Sequence, residues 1–375
     1  MEGKQIRVGI IGVHPDLGWA AYAHLPALAQ LPEYRVTALS HHQLETAQAA
    51  ARKFGIAHAV STTAELVNHP DVDLVVVAVK VPRHRELIEA ALNAGKAVLS
   101  EWPLALDLAE AIAMRDLAQT KGLHTAIGLQ TRSAPAIQFV RDRVAAGQVG
   151  RVISSTLIGS GIIWGNSVPQ AHAHTLDPAS GANMISVTLG HSLDAVLYAL
   201  GGRFDDLVAK TATVRKTTRI EETGIDVPMT VPDQVAVAGL LDNGVFVNVH
   251  FRGGLSAASN FHWEINGDAG DIVVTTPIGY TGVGGFRVQA AKHGEALCDL
   301  AIPSGYSHGF EEGLTQSIAI AYRRLASDLR EGTRLAPTFG DAVQLHRLVE
   351  RILDAGETGQ QSDESCSHLS AATSS

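Results

Sequence analysis

Cysteine is almost missing from this 375-residue chain, and its scarcity excludes two kinds of chemistry. Cys298 and Cys366 are the only two. So placed, they give neither a disulfide framework nor the paired spacing of a thiolate metal site, a usage that suits a reducing compartment. Charge is sparse as well, with Asp, Glu, Lys and Arg together at 18% and a net charge of −9. No Lys/Arg run interrupts that balance, which argues against nucleic acid or an anionic membrane as a direct partner. No apolar run approaches the ~18 residues that cross a bilayer. The opening MEGKQIRVGIIG has no basic start, apolar stretch or small-residue cleavage site, and enters a strand at once. The expectation is a cytoplasmic protein. Its length and 46% hydrophobic content suffice for two domains, each with its own core.

What is present is an alternation. Apolar runs at Arg7–Ile11, Arg35–Leu39, Leu74–Val79, Ala97–Ser100 and His124–Leu129 predict strands. Between them, Ala20–Gln30, Leu44–Phe54, His84–Asn93 and Leu108–Thr120 predict helices, with Gly95 as a C-terminal stop and Asp107 as an N-cap. Val/Ile/Leu-rich strands alternating with helices imply a parallel sheet covered on both faces. After Gln130 the pattern changes. A helix at Ala134–Ala146 and a strand at Val152–Ile158 lead into long alternating stretches at Leu207–Thr217, Gln234–Leu241, Val245–Arg252, Phe261–Asn266 and Asp271–Thr275. These predict an open, mainly antiparallel sheet. Helices are expected at Met184–Leu200, Glu312–Arg330 and Gly340–Ala355. The domain reading is therefore 1–130, a doubly wound dinucleotide-binding domain; 131–356, an α/β domain with the open sheet; and 357–375, a polar tail expected to be disordered.

The turn from the first strand into the first helix is Gly12 to Gly18, GVHPDLG. A standard dinucleotide loop reads G-x-G-x-x-G; here His14 takes the second Gly position and the third Gly arrives one residue late. Strand, Gly turn and helix together form the arrangement that holds a pyrophosphate on backbone N–H groups. The second strand ends Leu39-Ser40-His41-His42, without the carboxylate that would hold an NAD ribose. Ser40, His41 and His42 are candidate donors to a 2′-phosphate, with solvated turn histidines as the plain alternative. The cofactor is NAD or NADP, with a lean towards NADP.

VDLVVVAVKVPRHRELIEAALNAGKAVLSEWPLAL resembles the Gfo/Idh/MocA oxidoreductases, which carry A-T-P-N-x-x-H and G-K-x-V-x-x-E-K-P in these places. Ala78, His84, Gly95, Lys96, Val98, Glu101 and Pro103 match that pattern, as do Arg132 with Pro135 and His191 with Asp194 in GHSLD. The resemblance implies a Rossmann domain followed by an open-sheet domain, with the site between the carboxyl ends of the parallel strands and the second sheet. GVHPDLGW, HLPAL, EWPLA, VTLGHSLD and TVPDQ look similar to the branch containing the fungal galactose-pathway repressor. Trp102 stands where active sugar dehydrogenases of the family have a Lys, and Val187 where they have an Asp one helical turn before His191. Val187, His191 and Asp194 are expected to share one helical stripe.

The resemblance implies cofactor contacts from Gly12, His14, Leu17, Gly18, Trp19, Ser40, His41, Val79, Lys80, His84, Glu101, Trp102 and Gln130. Glu101 is expected to orient the cofactor ribose and Trp102 to wall the nicotinamide. His191 is the expected proton donor or acceptor, with Asp194 fixing its ring; Lys80 is a further catalytic candidate, a cation beside the cofactor that would partly replace the absent Lys, a surface Lys being the plain reading. Trp102, Arg132, Trp164, Asn166, Asn183 and His191 are the substrate-pocket candidates, Trp164 being equally a packed loop anchor. His172, His174 and His191 lack metal-ligand spacing, so no metal is expected. The implied activity is NAD(P)-dependent oxidoreduction of a small polar cyclic substrate, a sugar or polyol derivative, or reduction of a C=N or conjugated C=C bond. The competing implication is a dinucleotide-binding regulator without turnover. A homodimer or homotetramer through the open sheet is expected.

Overall fold

The computed structural model describes residues 4–281 and 285–363. Two compact units divide the chain: one of residues up to Ser133 with Phe310–His346, the other of Ala134–Gly309 with the residues from Arg347 onward. The sequence boundary at 130/131 falls close to the first division. The segment 310–346, however, counts with the first unit and not, as the sequence suggested, with the second.

The first unit is a six-stranded parallel sheet: β1 (Ile6–Ile11), β2 (Tyr34–Ser40), β3 (His58–Val60), β4 (Leu74–Val77), β5 (Ala97–Glu101) and β6 (Thr125–Gly128), in the order β3-β2-β1-β4-β5-β6. Every β4 residue is buried, as a sheet covered on both faces requires. The chain order reverses beside β1, which places the crevice for a ligand at the carboxyl ends of β1 and β4. Between the strands run α1 (Leu25–Leu28), α2 (Leu44–Phe54), α3 (Thr63–Val67), α4 (His84–Asn93) and α5 (Leu108–Thr120). The single helix expected over 20–30 is instead a π-turn, Ala20–His24, followed by α1. Pro26 has no N–H to give an α-helical bond, and the wider turn ahead of it absorbs the defect. β3 and α3 escaped the sequence reading, although Thr62 and Glu65 form a capping box that announces α3. α8 (Gln316–Glu331) belongs to this unit; Ile318, Tyr322 and Leu325 join Ile10, Leu28 and Leu99 in one core.

The second unit carries α6 (Pro135–Ala145), α7 (Gly190–Leu200) and a nine-stranded mixed sheet. Its strands are β7 (Val152–Ser160), β9 (Asp206–Ala212), β12 (Gln234–Leu240), β13 (Phe246–Arg252), β14 (Phe261–Gly267), β15 (Gly270–Thr276), β16 (Arg287–Lys292), β17 (Cys298–Asp299) and β18 (Ser362–Asp363). All pairings are antiparallel except β7 with β13. A small separate sheet joins β8 (Ser167–Val168), β10 (Thr217–Ile220) and β11 (Asp226–Pro228). The strand expected over 207–217 stops at Ala212 because the chain turns onto Asp233. That fully buried carboxylate accepts from Val214 N–H (2.6 Å) and from the Arg215 guanidinium (2.8 Å). Inward strand positions are filled by Leu157, Val247, Phe251, Trp263 and Ile265. α9 (Phe339–Thr358) outruns its expected end, and β18 pairs with β9, so the tail is ordered as far as Asp363. The rest of the expected disordered tail, with Cys366, lies outside the described residues.

Candidate functional site

The phosphate-binding turn folds differently in detail from its sequence expectation. Gly12 has φ +86°, and a Cβ there would lie 2.3 Å from Val79 Cγ1, so only glycine fits. The N–H groups of Gly12 and Val13 both donate to Ser40 O, at 2.9 and 3.0 Å. They stitch β1 to β2 and are spent there. His14 Nδ1 accepts from Asp16 N–H (3.1 Å), Asp16 pairs with Lys53 (2.8 Å), and the Tyr22 hydroxyl donates to Asp16 O. The turn is thus closed on itself. What remains for a diphosphate is the next set of amides, Leu17, Gly18 and Trp19, at the start of the helical segment. At Gly18 (φ +85°) a Cβ would meet nothing within 4 Å, so the approach is open.

At the end of β2, the rings of His41 and His42 lie 4.2 Å apart and those of His14 and His41 6.2 Å apart. His41 Nδ1 accepts from Gln43 N–H (3.1 Å), as His14 Nδ1 does from Asp16. Each neutral ring therefore carries its proton on Nε2 and offers a donor. Burial, then the neighbouring His42 and His14 rings, lower the His41 pKa. Ser40 is buried with its carbonyl engaged, which leaves the half-buried His14 and His41 and the exposed His42 as the donors here.

Past β4, Val79 is half-buried and Lys80 exposed, at the N-cap of a short turn containing Pro82. His84 is buried, its ring nitrogens facing Val79 O (3.0 Å) and Leu104 O (3.2 Å). It ties the turn after β4 to the turn after β5 and is a framing residue. Burial lowers its pKa. Glu101, at the end of β5, lies with Oε1 3.1 Å from His24 Nε2. Trp102 is 5% exposed and packs on the His346 ring at 4.6 Å. Burial pushes the His346 pKa down to about 4, and its Nε2 accepts from Ala105 N–H (3.3 Å). Gln130 is buried after β6, and Arg132 pairs with Asp341 at 2.9 Å. His24, Tyr322 and His346 carried no sequence signal that marked them for this neighbourhood.

In the second unit, a π-turn at Ile185–Leu189 leads into α7. Asn183 caps it: Oδ1 accepts from Ile185 N–H (2.9 Å) and Ser186 N–H (3.1 Å). His191 and Asp194 are buried on α7, with Val187 half-buried one turn earlier. The Tyr280 ring stands 6.2 Å from that of His191, a neighbour the sequence reading missed. Trp164 is 2% exposed and donates from Nε1 to Thr175 O (3.1 Å), which is the packed-anchor alternative. Its φ is +62°. Asn166 Oδ1 accepts from the Arg215 guanidinium (3.1 Å). His172 is exposed, and His174 Nδ1 faces Ala171 O. Among the described residues, one group, His58, His69 and Asp71, has donor atoms mutually within 4.8 Å. It lies at the amino ends of β3 and β4, and the Arg7 guanidinium already sits on Asp71 (2.7 Å).

Known proteins share this architecture. Residues 6–129 match the model of the oxidoreductase family with an NAD-binding Rossmann fold, GFO_IDH_MocA, and residues 135–276 match that of the Gal80p C-terminal domain. The chain is 30% identical over 376 residues to dehydrogenase aclE of Aspergillus oryzae, covering 95% of this chain and 98% of that protein. It is 28% identical to the galactose/lactose metabolism regulatory protein GAL80 of Saccharomyces cerevisiae, covering 94% and 93%. The crystal structure of a super-repressor mutant of that protein superimposes with a TM-score of 0.88, covering 96% and 98% at 25% identity. Levoglucosan dehydrogenase of Pseudarthrobacter phenanthrenivorans is 25% identical over 94% of this chain and 96% of its own. A levoglucosan dehydrogenase in complex with NADH and levoglucosan shares the fold, with a TM-score of 0.82 at 22% identity, covering 96% and 99%.

Proposed function

Because this chain belongs to the Gfo/Idh/MocA oxidoreductase family, in a branch resembling Gal80, we propose that it is a nicotinamide-dinucleotide-dependent oxidoreductase acting on a sugar or polyol derivative. The observation that carries the reading is the turn at Gly12–Gly18. Its first glycine is packed against Val79, and its last opens onto the amides of Leu17, Gly18 and Trp19. Those amides take the diphosphate, while His14 and His41 offer Nε2–H donors at the adenosine ribose, where no carboxylate ends β2 to repel a 2′-phosphate. NADP is therefore the favoured form. The cofactor, when bound, supplies or takes the hydride. His191 gives or takes the proton, with Asp194 one turn on, and Lys80, exposed just past β4, is the cation beside the cofactor.

Trp102 and Val187 replace two groups that help sugar dehydrogenases move a proton, and a placed acid or base is worth ~10²–10⁴ in rate. A C=N or conjugated C=C bond asks less of an acid at oxygen and suits His191 alone. Fluorescence titration with NADPH and NADH, followed by a screen of sugars, keto-sugars and cyclic imines for change in reduced-cofactor absorbance, tests the reading. His191→Ala should lower turnover by about 10²-fold or more while cofactor affinity stays unchanged. Unchanged turnover in that variant removes His191 from the chemistry.

Similarity to GAL80 over nearly the whole chain, with Trp102 in place of the Lys, favours a second reading: a dinucleotide-responsive regulator without turnover. Tight dinucleotide binding with no reaction by any substrate class would select it. Either way, the outward face of the nine-stranded sheet suits self-association. Val208, Leu240 and Phe246 are 49%, 44% and 48% exposed there, on adjacent strands. Light scattering that finds a monomer, or a dimer unaffected by Phe246→Lys, removes that surface.

A further inference from the structure

Beneath Glu101, wholly within the first unit, lies a small, partly open cavity of about 30 Å³. Its walls are mostly apolar, from Leu99, Ile127, Ile318 and Leu325, but four polar side chains also line it: His24, Glu101, Gln130 and Tyr322. His24 Nδ1 is 2.7 Å from Tyr322 Oη, and His24 Nε2 is 3.1 Å from Glu101 Oε1. Burial holds the Tyr322 phenol above its ordinary pKa range, beside Tyr34 and Glu101, so it remains a donor. Tyr322 O–H then donates to Nδ1, which leaves the imidazole proton on Nε2, on the Glu101 side.

Nε2 is close to the carboxylate yet forms no hydrogen bond in line with it, and Gln130 Oε1 likewise has no hydrogen-bond partner. His24 is 2% and Gln130 8% exposed, so both atoms are costly to leave unsatisfied. One donor and one acceptor of this kind, with a carboxylate beside them, match the needs of a buried water. Such a water requires roughly 10–15 Å³ of probe-occupied space and 2–4 polar partners. Gly128 completes the cradle: a Cβ there would lie 2.5 Å from Glu101 Oε1, so the carboxylate reaches its place only over a glycine.

We propose that this cavity is a single-water site, and that Tyr322, His24 and the water position Glu101 and Gln130 as one unit at the carboxyl ends of β5 and β6. The water accepts from His24 Nε2–H and donates to Gln130 Oε1 and the Glu101 carboxylate. The proposal deepens the functional reading and rests on it in one respect, that Glu101 and Gln130 face the cofactor. His24 and Tyr322 are then positioning residues. They make the dinucleotide's affinity depend on a side chain of α8, far along the chain.

Two measurements test this. A high-resolution crystal structure of the cofactor-free protein should show one ordered water bonded to His24, Glu101 and Gln130; a dry cavity overturns the proposal. In reduced-dinucleotide titrations, His24→Phe should weaken binding about tenfold, equivalent to ~1.4 kcal/mol, and Tyr322→Phe, which loses only a hydroxyl, should weaken it in the same direction. Tyr34→Phe is the control. Its hydroxyl donates to Tyr322 O (2.7 Å) in the same core, outside the network. It should lower the melting temperature and leave affinity unchanged. Equal affinities in all three variants, or equal losses in all three, overturn the positioning role. Wild type that binds no dinucleotide overturns the functional reading instead, while the crystal still decides the water.

Discussion

Single residues set the sharpest limits on what this chain can do. Gly12 is one. An alanine there would need both the left-handed backbone, φ +86°, and displacement of Val79. Gly12→Ala should therefore destabilise the protein by roughly 1–3 kcal/mol and weaken dinucleotide binding, read by denaturant unfolding and titration. His346 is another. Its pKa of about 4 lies below the ordinary value because burial penalises the imidazolium. The unfolded chain then holds the extra proton between pH 6.5 and 4, so stability falls as pH drops through that window and levels off below it. The shift amounts to ~3 kcal/mol. His346→Leu should flatten that acid limb by about one proton, measured as the slope of unfolding free energy against pH. An unchanged slope would mean that other groups carry the limb, among them His41, His84 and His124, each also lowered by burial.

Elements were legible from the sequence wherever periodicity was long and uninterrupted, and illegible where a local defect was compensated in space. β1, β2, β5 and α2 fall within a residue or two of their expected ends. The first π-turn was invisible because it depends on a backbone defect at Pro26 that the wider turn ahead of it absorbs; the second, Ile185–Leu189, has no such marker in its sequence. α3 was legible and overlooked: Thr62 and Glu65 bond reciprocally across its first turn. Thr62→Ala should cost about 1 kcal/mol, and hydrogen exchange at residues 63–67 should report it locally; protection unchanged there would show that packing alone holds the helix. The site was less legible than the fold. The sequence picked out Gly12, His41, Glu101 and His191, but not that Gly12 spends its N–H on Ser40 or that Glu101 turns to His24. Such pairings join residues dozens to hundreds of positions apart, as with His24 and Tyr322, and no local pattern encodes them.

At the scale of the whole molecule, the first unit is built from two separated stretches of chain. Ile127 N–H donates to Pro337 O (2.9 Å), so the returning stretch satisfies the otherwise open side of β6. Ile318, Tyr322, Leu325 and Ala336 complete the core begun by β1 and β2. A fragment of residues 1–133 should accordingly fail to fold cooperatively. Fusing 310–346 to it through a flexible linker should restore a sigmoidal melt, and a cooperative melt of 1–133 alone would contradict this.

A ribosome delivers residues in order, and the nucleotide-binding half emerges first with one wall of its interior missing. It stays exposed while some 180 further residues are made, until Tyr322 arrives to close over His24. The unit that would greet a coenzyme is thus begun first and closed only after most of the other unit has been made.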